Sequence, residues 1–220
     1  MPPDQPSLRL LLIRHGQAGG DSQYYGPDVP LSDRGGEQAK WIAAALKREG
    51  VSALFTSPYT RAQQTAQASA QQLRCTLRED ARLIEFQMGE GTTDVPIQQI
   101  VQERQDLMLW RPHDQFAQGG ETLGAFQARV SAFLEETVSA HLGATVAIFT
   151  HAGTIAAAMR WAYGLGPDHD WHSDVEVFNG SITAIRHWPR GRHPDGAPYA
   201  SAVLRLNDVR HLPAELVTEY

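Results

Sequence analysis

Three short apolar runs constrain this chain more than any other feature: L-R-L-L-L-I at 8–13, V-S-A-L-F-T at 51–56 and T-V-A-I-F-T at 145–150. Each has the length of a strand and is rich in Val, Ile, Leu and Phe, yet lacks the alternation of a strand with one wet face. Such runs are strands buried on both faces, as in a parallel sheet covered by helices. Helical spacing fills the intervals. At 37–48, Ala39, Ile42, Ala43 and Leu46 recur at i, i+3, i+4, i+7. A longer stripe at 121–139 comprises Leu123, Phe126, Val130, Phe133, Leu134 and Val138. A helix over 59–73 turns Ala62, Ala66 and Leu73 inward, and another over 153–163 follows the third run directly. Runs at 175–187 and 201–206 read as further strands around the turn Asn179-Gly180. Strand then helix, repeated, is the α/β pattern, here a three-layer α/β/α sandwich with a mostly parallel central sheet.

At 220 residues the chain is expected to form one domain, 1–220, with its core at about 8–206. Nineteen Lys plus Arg against twenty-five Asp plus Glu give a net charge of -6, which excludes a generally basic binder of nucleic acid or membrane surfaces. The single cysteine, Cys75, excludes an internal disulfide framework and a four-cysteine zinc site. No stretch approaches the ~20 apolar residues of a membrane helix. The run at 8–13 is too short for a signal segment and contains Arg9. The expectation is a cytoplasmic protein. The loosest composition, P-R-G-R-H-P-D-G-A-P at 189–198, reads as a surface loop.

In open α/β sheets ligands bind beyond the carboxyl ends of the strands, so the residues just past each run matter most. After the first come Arg14, His15, Gly16 and Gln17; after the second, Ser57, Pro58, Tyr59, Thr60 and Arg61; after the third, His151, Ala152 and Gly153. Two arginines and two histidines thus meet at one rim from three strands. Their types suit a phosphoryl group. Arg presents a planar fork matching phosphate oxygens, a neutral imidazole is a competent nucleophile, and helix N-termini add oriented N–H donors. No Walker-type G-x-x-x-x-G-K-[ST] occurs, and G-Q-A-G-G at 16–20 does not fit G-x-G-x-x-G.

These residues resemble the histidine phosphatase superfamily, also called phosphoglycerate mutase-like. L-I-R-H-G-Q at 12–17 is similar to its signature. In the family's order follow L-S-D-R-G-G-E-Q-A at 31–39, T-S-P-Y-T-R-A-Q-Q-T-A at 56–66, L-I-E-F-Q-M-G-E-G at 83–91, G-G-E-T at 119–122 and T-H-A-G at 150–153. R-H-G alone is a weak signal, but six motifs in one order are a strong one. The resemblance implies a phosphoglycerate mutase-like fold and a metal-independent phosphomonoester hydrolase without a cofactor. His15 would attack phosphorus and carry a phosphohistidine. Arg14, Arg61 and His151 would hold the equatorial oxygens, with Gly16, Gln17 and Ala152 lining the substrate site. Glu85 would protonate the leaving oxygen and then deprotonate water, with Glu90 a rival in the same loop. Two arginines beside His15 should favour its neutral form, and an arriving phosphate should raise the pKa of Glu85.

The chain also departs from the pattern. The family's mutases carry R-H-G-E-S or R-H-G-E-T with an Asn a few residues on, where this chain has Gln17, Ala18, Gly19, Gly20 and Asp21. The mutases also have a longer insert after the Glu loop than 92–118 here. Both differences favour hydrolysis, with a phosphoglycerate-type mutase and a non-catalytic phosphate-binding protein as the alternatives. The expected partner is a small phosphorylated substrate, not a nucleic acid or a membrane, and an edge strand offers pairing into a homodimer. The loop D-H-D-W-H at 168–172 places His169 and His172 with Asp170, a pattern read as polar rim rather than metal site. Trp41, Trp110, Trp161 and Trp188 are expected in or near the core. Tyr24 and Tyr25 are candidates for a substrate's organic part, and Cys75 for a half-buried position.

Overall fold

The apolar runs lie side by side in one sheet. A computed structural model of the protein describes residues 6–19, 26–92, 111–171, 175–189 and 200–218. Its strands are β1 (Leu8–Arg14), β2 (Ala53–Thr56), β3 (Leu77–Glu79), β4 (Thr145–Thr150), β5 (Ile182–His187) and β6 (Ser201–Asp208). Its helices are α1 (Asp33–Leu46), α2 (Thr60–Leu73), α3 (Leu123–Ala140) and α4 (Ala152–Ala162). The sheet order is β3-β2-β4-β1-β5-β6. The pairs β1–β4, β2–β4 and β2–β3 are parallel, while β5 runs antiparallel to both β1 and β6.

Side chains alternate through the sheet into two cores. Leu8, Leu10 and Leu12 of β1 pack with Phe126, Val130, Phe133 and Leu134 of α3 and with Ile155 and Met159 of α4. Leu11 and Ile13 pack on the opposite face with Ile42 and Leu46 of α1 and Ala66 of α2. This is the three-layer sandwich that the periodicities predict. Polar caps set two helix starts: Ser32 accepts from Gly35 N at 3.0 Å to open α1, and Thr122 accepts from Ala125 N at 3.1 Å to open α3. The strand β1 leads to α1 on one face and β4 leads to α4 on the other. The carboxyl ends of these adjacent strands therefore form a topological switch point, where such sheets open a crevice.

Two expectations need correction, and one strand had no expectation at all. Regular pairing in the 175–187 run begins only at Ile182. Before it, Val177 O accepts from Arg14, Phe178 N donates to Asn207 Oδ1, and Asn179 N donates to Thr218 O. Those backbone groups are thereby diverted from a ladder. Strand β3 was not anticipated, because it has three residues, two of them exposed and charged, on a sheet edge. Trp41 is 45% exposed, since the buried stripe of α1 runs through Gln38, Ala39, Ile42, Ala43 and Leu46 and leaves position 41 outside it. Trp188 is buried, Trp161 packs at the core edge, and Cys75 is half-buried. Gly20, Asp21, Tyr24, Tyr25, Trp110, His172 and most of 92–118 and 189–198 lie outside the described residues. Among the described residues no helix is long and apolar enough to cross a membrane.

Candidate active site

Strand register brings the two histidines together. Arg14 of β1 is paired with Thr150 of β4, so His15 and His151 are the next residues of adjacent parallel strands. His15 N donates to Thr150 O at 2.9 Å, and the two rings meet edge-on with centroids 5.1 Å apart. On the other side of β4, Ser57 N donates to Phe149 O at 2.9 Å, which sets Ser57 beside His151. The chain then turns into α2, whose first turn carries Arg61.

The hydrogen bonds of His15 assign its proton. Nδ1 lies 2.7 Å from Gly16 O, a pure acceptor, so Nδ1 carries the hydrogen. Arg61 Nε donates to Nε2 at 3.1 Å, so Nε2 presents a lone pair. Burial, then the charges of Arg61 and Arg14, hold the His15 pKa well below its usual 6.5, while the Gly16 carbonyl pulls weakly the other way. Burial thus leads and the arginines follow. His151 is completely buried, and its pKa is lowered by burial first and then by Arg61, His15 and Arg14. Its Nε2 lies 2.8 Å from Ser57 Oγ, which in turn accepts from Tyr59 N at 3.3 Å. With the Ser57 hydroxyl hydrogen directed to His151 Nε2, the imidazole hydrogen sits on Nδ1. That Nδ1 is buried with no hydrogen-bond partner. An orphaned buried donor costs about 1–3 kcal/mol, so it marks a place where a ligand oxygen would be welcome.

Both arginines are held by loop carbonyls. Arg14 Nη1 donates to Val177 O, and Arg61 Nη1 donates to Gly26 O at 2.8 Å. The Arg61 guanidinium lies 5.1 Å from the ring centre of Tyr59, and the His151 ring centre also lies 5.1 Å from it. Glu85 is 7% exposed. Its Oε1 accepts from Phe86 N at 2.8 Å, and its Oε2 accepts from Gly153 N, in the first turn of α4, at 3.0 Å. Burial raises its pKa, against those two amides and the charges of Arg61 and Arg14, so no ligand is needed to start the shift. A Cβ on Gly153 would stand 2.3 Å from Glu85 Oε1, so a side chain here would displace the carboxyl group. Glu90 instead lies against Gly119.

Gly16 and Gln17 are placed differently from a simple phosphate loop. Gly16 N donates to Thr65 Oγ1 at 3.0 Å, and a Cβ on Gly16 would come within 2.7 Å of Gly35 O. Its glycine is explained by close contact with the start of α1. Gln17 N donates to Gln38 Oε1 at 2.7 Å, and Gln17 Oε1 accepts from Ser32 Oγ at 3.1 Å. Ala152 is the first residue of α4. Sequence reasoning gave no role to Ser57, Thr65 or Gln38, though the position of Ser57 directly after a strand was a usable signal. In the 168–172 loop, the carbonyls of His169 and Asp170 accept from Arg160 at 2.9 and 3.0 Å, and His169 Nδ1 accepts from Gly166 N at 3.0 Å. Among the described residues no group of three or more His, Cys, Asp or Glu could hold a metal ion.

The cluster makes a pH prediction for stability. Two imidazoles are buried neutral, so below their ordinary pKa the unfolded chain binds protons that the folded chain refuses. The stability that the neutral pair contributes is therefore full above about pH 6.5 and is lost progressively as pH falls below it. Glu85, with its raised pKa, acts in the opposite direction, but as one carboxyl against two imidazoles. Urea midpoints should drop between pH 7.5 and 5.5, and His15→Asn should flatten that drop. A midpoint independent of pH would contradict the buried neutral pair.

The chain is similar to known proteins over most of its length. Residues 10–196 match the profile of the histidine phosphatase superfamily (branch 1). The chain is 29% identical over 210 residues to phosphoserine phosphatase 1 of Hydrogenobacter thermophilus, covering 93% of this chain and 94% of that protein. It is 27% identical over 167 residues to a probable phosphoglycerate mutase of Escherichia coli O1:K1, covering 72% of this chain and 76% of that one. A solved mycobacterial glucosyl-3-phosphoglycerate phosphatase shares the fold, with TM-score 0.72 and 22% identity over 91% of this chain and 99% of that one. With the profile spanning most of its length, this chain belongs to the histidine phosphatase superfamily.

Proposed function

We propose that this protein is a phosphomonoester hydrolase that works through a phosphohistidine on His15. The observation that carries the reading is the tautomer of His15, whose unprotonated Nε2 is buried beside the Arg61 guanidinium. The substrate's phosphate dianion binds between Arg14, Arg61 and His151. Arg61 Nε, now on the lone pair of His15, moves its hydrogen bond to a phosphate oxygen and releases the nucleophile. His151 Nδ1–H donates to a second oxygen. Such positioning and charge stabilisation are most of what phosphoryl transfer asks of a protein. The His15 Nε2–P bond forms as the P–O ester bond breaks, and the proton of Glu85 passes to the leaving oxygen. Water then attacks phosphorus, its proton returns to Glu85, and the N–P electron pair returns to His15 Nε2.

Names among the relatives support testing phosphoserine, glucosyl-3-phosphoglycerate and 3-phosphoglycerate first. The Gln17-Ala18 sequence after R-H-G supports hydrolysis over return of the phosphoryl group. Phosphate release from one or more of these esters, without isomerisation of 3-phosphoglycerate, is the expected result. Isomerisation faster than release would establish the mutase instead. The rate should survive a strong chelator, because the guanidinium groups supply the positive charge and His15 the nucleophile. Loss of turnover on chelation, restored by zinc or manganese, would overturn this mechanism.

A further inference from the structure

We infer that Arg129 and Glu121 form a positioning pair that holds the general acid Glu85 in place, an inference that rests on the acid role proposed above. The segment carrying Glu85 has no ladder to hold it. The 3-10 turn Ala81–Leu83 ends just before it, and residues 84–88 are irregular. Its carbonyls must find side-chain donors instead. Thr150 Oγ1 donates to Leu83 O at 2.7 Å and Thr154 Oγ1 donates to Ile84 O at 2.8 Å.

Arg129, from the second turn of α3, supplies the rest. Its Nη1 donates to Arg82 O at 2.7 Å and Ile84 O at 2.9 Å, and its Nη2 donates to Glu85 O at 3.0 Å. The remaining donors bind Glu121, Nε to Oε2 at 2.9 Å and Nη2 to Oε1 at 2.6 Å. All five N–H donors of the guanidinium are therefore used. Glu121 also ties the far side of the loop: its Oε1 accepts from Gln87 N and its own N donates to Gln87 O, each at 2.9 Å. The guanidinium lies 4.6 Å from the ring centre of Phe126, which fixes its plane. Three carbonyls and a bidentate carboxylate around one side chain suit the five-donor fork of Arg. Lys keeps the charge but lacks that geometry.

The pair's hydrogen bonds to the acid loop all go to its main chain, and Arg129→Lys keeps the charge, so the substitution should harm proton delivery and spare phosphate binding. The test measures kcat/KM for an alkyl phosphate and for p-nitrophenyl phosphate, with inhibition by inorganic phosphate, in full-length Arg129→Lys. Misplacing a reacting group by about 1 Å can cost about 10²-fold, which is the loss expected on the alkyl ester. The aryl ester and the phosphate inhibition constant should change little. In a Glu85→Gln background Arg129→Lys should have no further effect on the alkyl ester. Equal losses on both esters, or full additivity with Glu85→Gln, would overturn the pairing. Glu85→Gln treating both esters alike would instead remove the acid assignment, and the pair's role with it. If Arg129→Lys fails to fold, Glu121→Gln, which leaves the guanidinium on its three carbonyls, should show the same discrimination at smaller size. Equal effects of Glu121→Gln on both esters would again overturn the pair.

Discussion

Replacing His15 with alanine should abolish a covalent phosphoenzyme and lower turnover by roughly 10⁴–10⁶-fold, the range for removing a nucleophile. The geometry makes His15 the reacting residue and His151 the holder. The His15 lone pair on Nε2 is met only by a guanidinium that a phosphate can draw away, whereas His151 Nε2 is occupied by Ser57 Oγ. Phosphohistidine is labile in acid and stable in base, the reverse of phosphoserine. Brief exposure to labelled substrate and an alkaline quench should therefore leave label that mild acid removes. His151→Ala should still label, while turning over about 10²–10³-fold more slowly, as expected for losing one donor to transition-state charge. Label on His151, or on any Ser or Cys, would refute the assignment.

Much of this site was legible because it sits at strand ends. Three apolar runs located the strands, and the register of β1, β2 and β4 then carried Arg14, His15, Ser57, Arg61 and His151 to one rim. Glu85 was legible only through motif resemblance, since it stands in an irregular loop that no periodicity marks. Arg129 was not legible at all. Its place beside an apolar stripe on α3 looks like a solvated helix edge, and its partners at 82–85 lie 44 or more residues away in the chain. Gly16 shows the converse. The motif places it in the substrate site, and the structure adds a packing reason for its lack of a side chain, the close approach of Gly35 in α1. Sequence motifs name residues that matter before they say which contact makes them matter.

Glu85→Gln should lower kcat/KM for alkyl phosphates by roughly 10²–10⁴-fold, the range for general acid–base catalysis, while sparing aryl phosphates whose leaving oxygens need little protonation. The ratio kcat/KM reports formation of the phosphoenzyme, so the second duty of Glu85 appears separately. With water no longer activated, the aryl ester should show a burst of phenol and a build-up of acid-labile label. The pH profile follows from the raised pKa of Glu85. The acid must hold its proton, so alkyl-ester kcat/KM falls as pH rises through that pKa. Because burial raises the pKa, that fall lies closer to neutrality than for an exposed glutamic acid, and Glu85→Gln should erase it. Gly153→Ala provides an independent check that leaves the carboxyl in the chain. Its Cβ would stand 2.3 Å from Oε1 and must push the group aside, so alkyl esters should again lose about 10²-fold with aryl esters spared. Equal damage to both esters from Glu85→Gln would make this residue structural, and Glu90 would then be the carboxylate to replace.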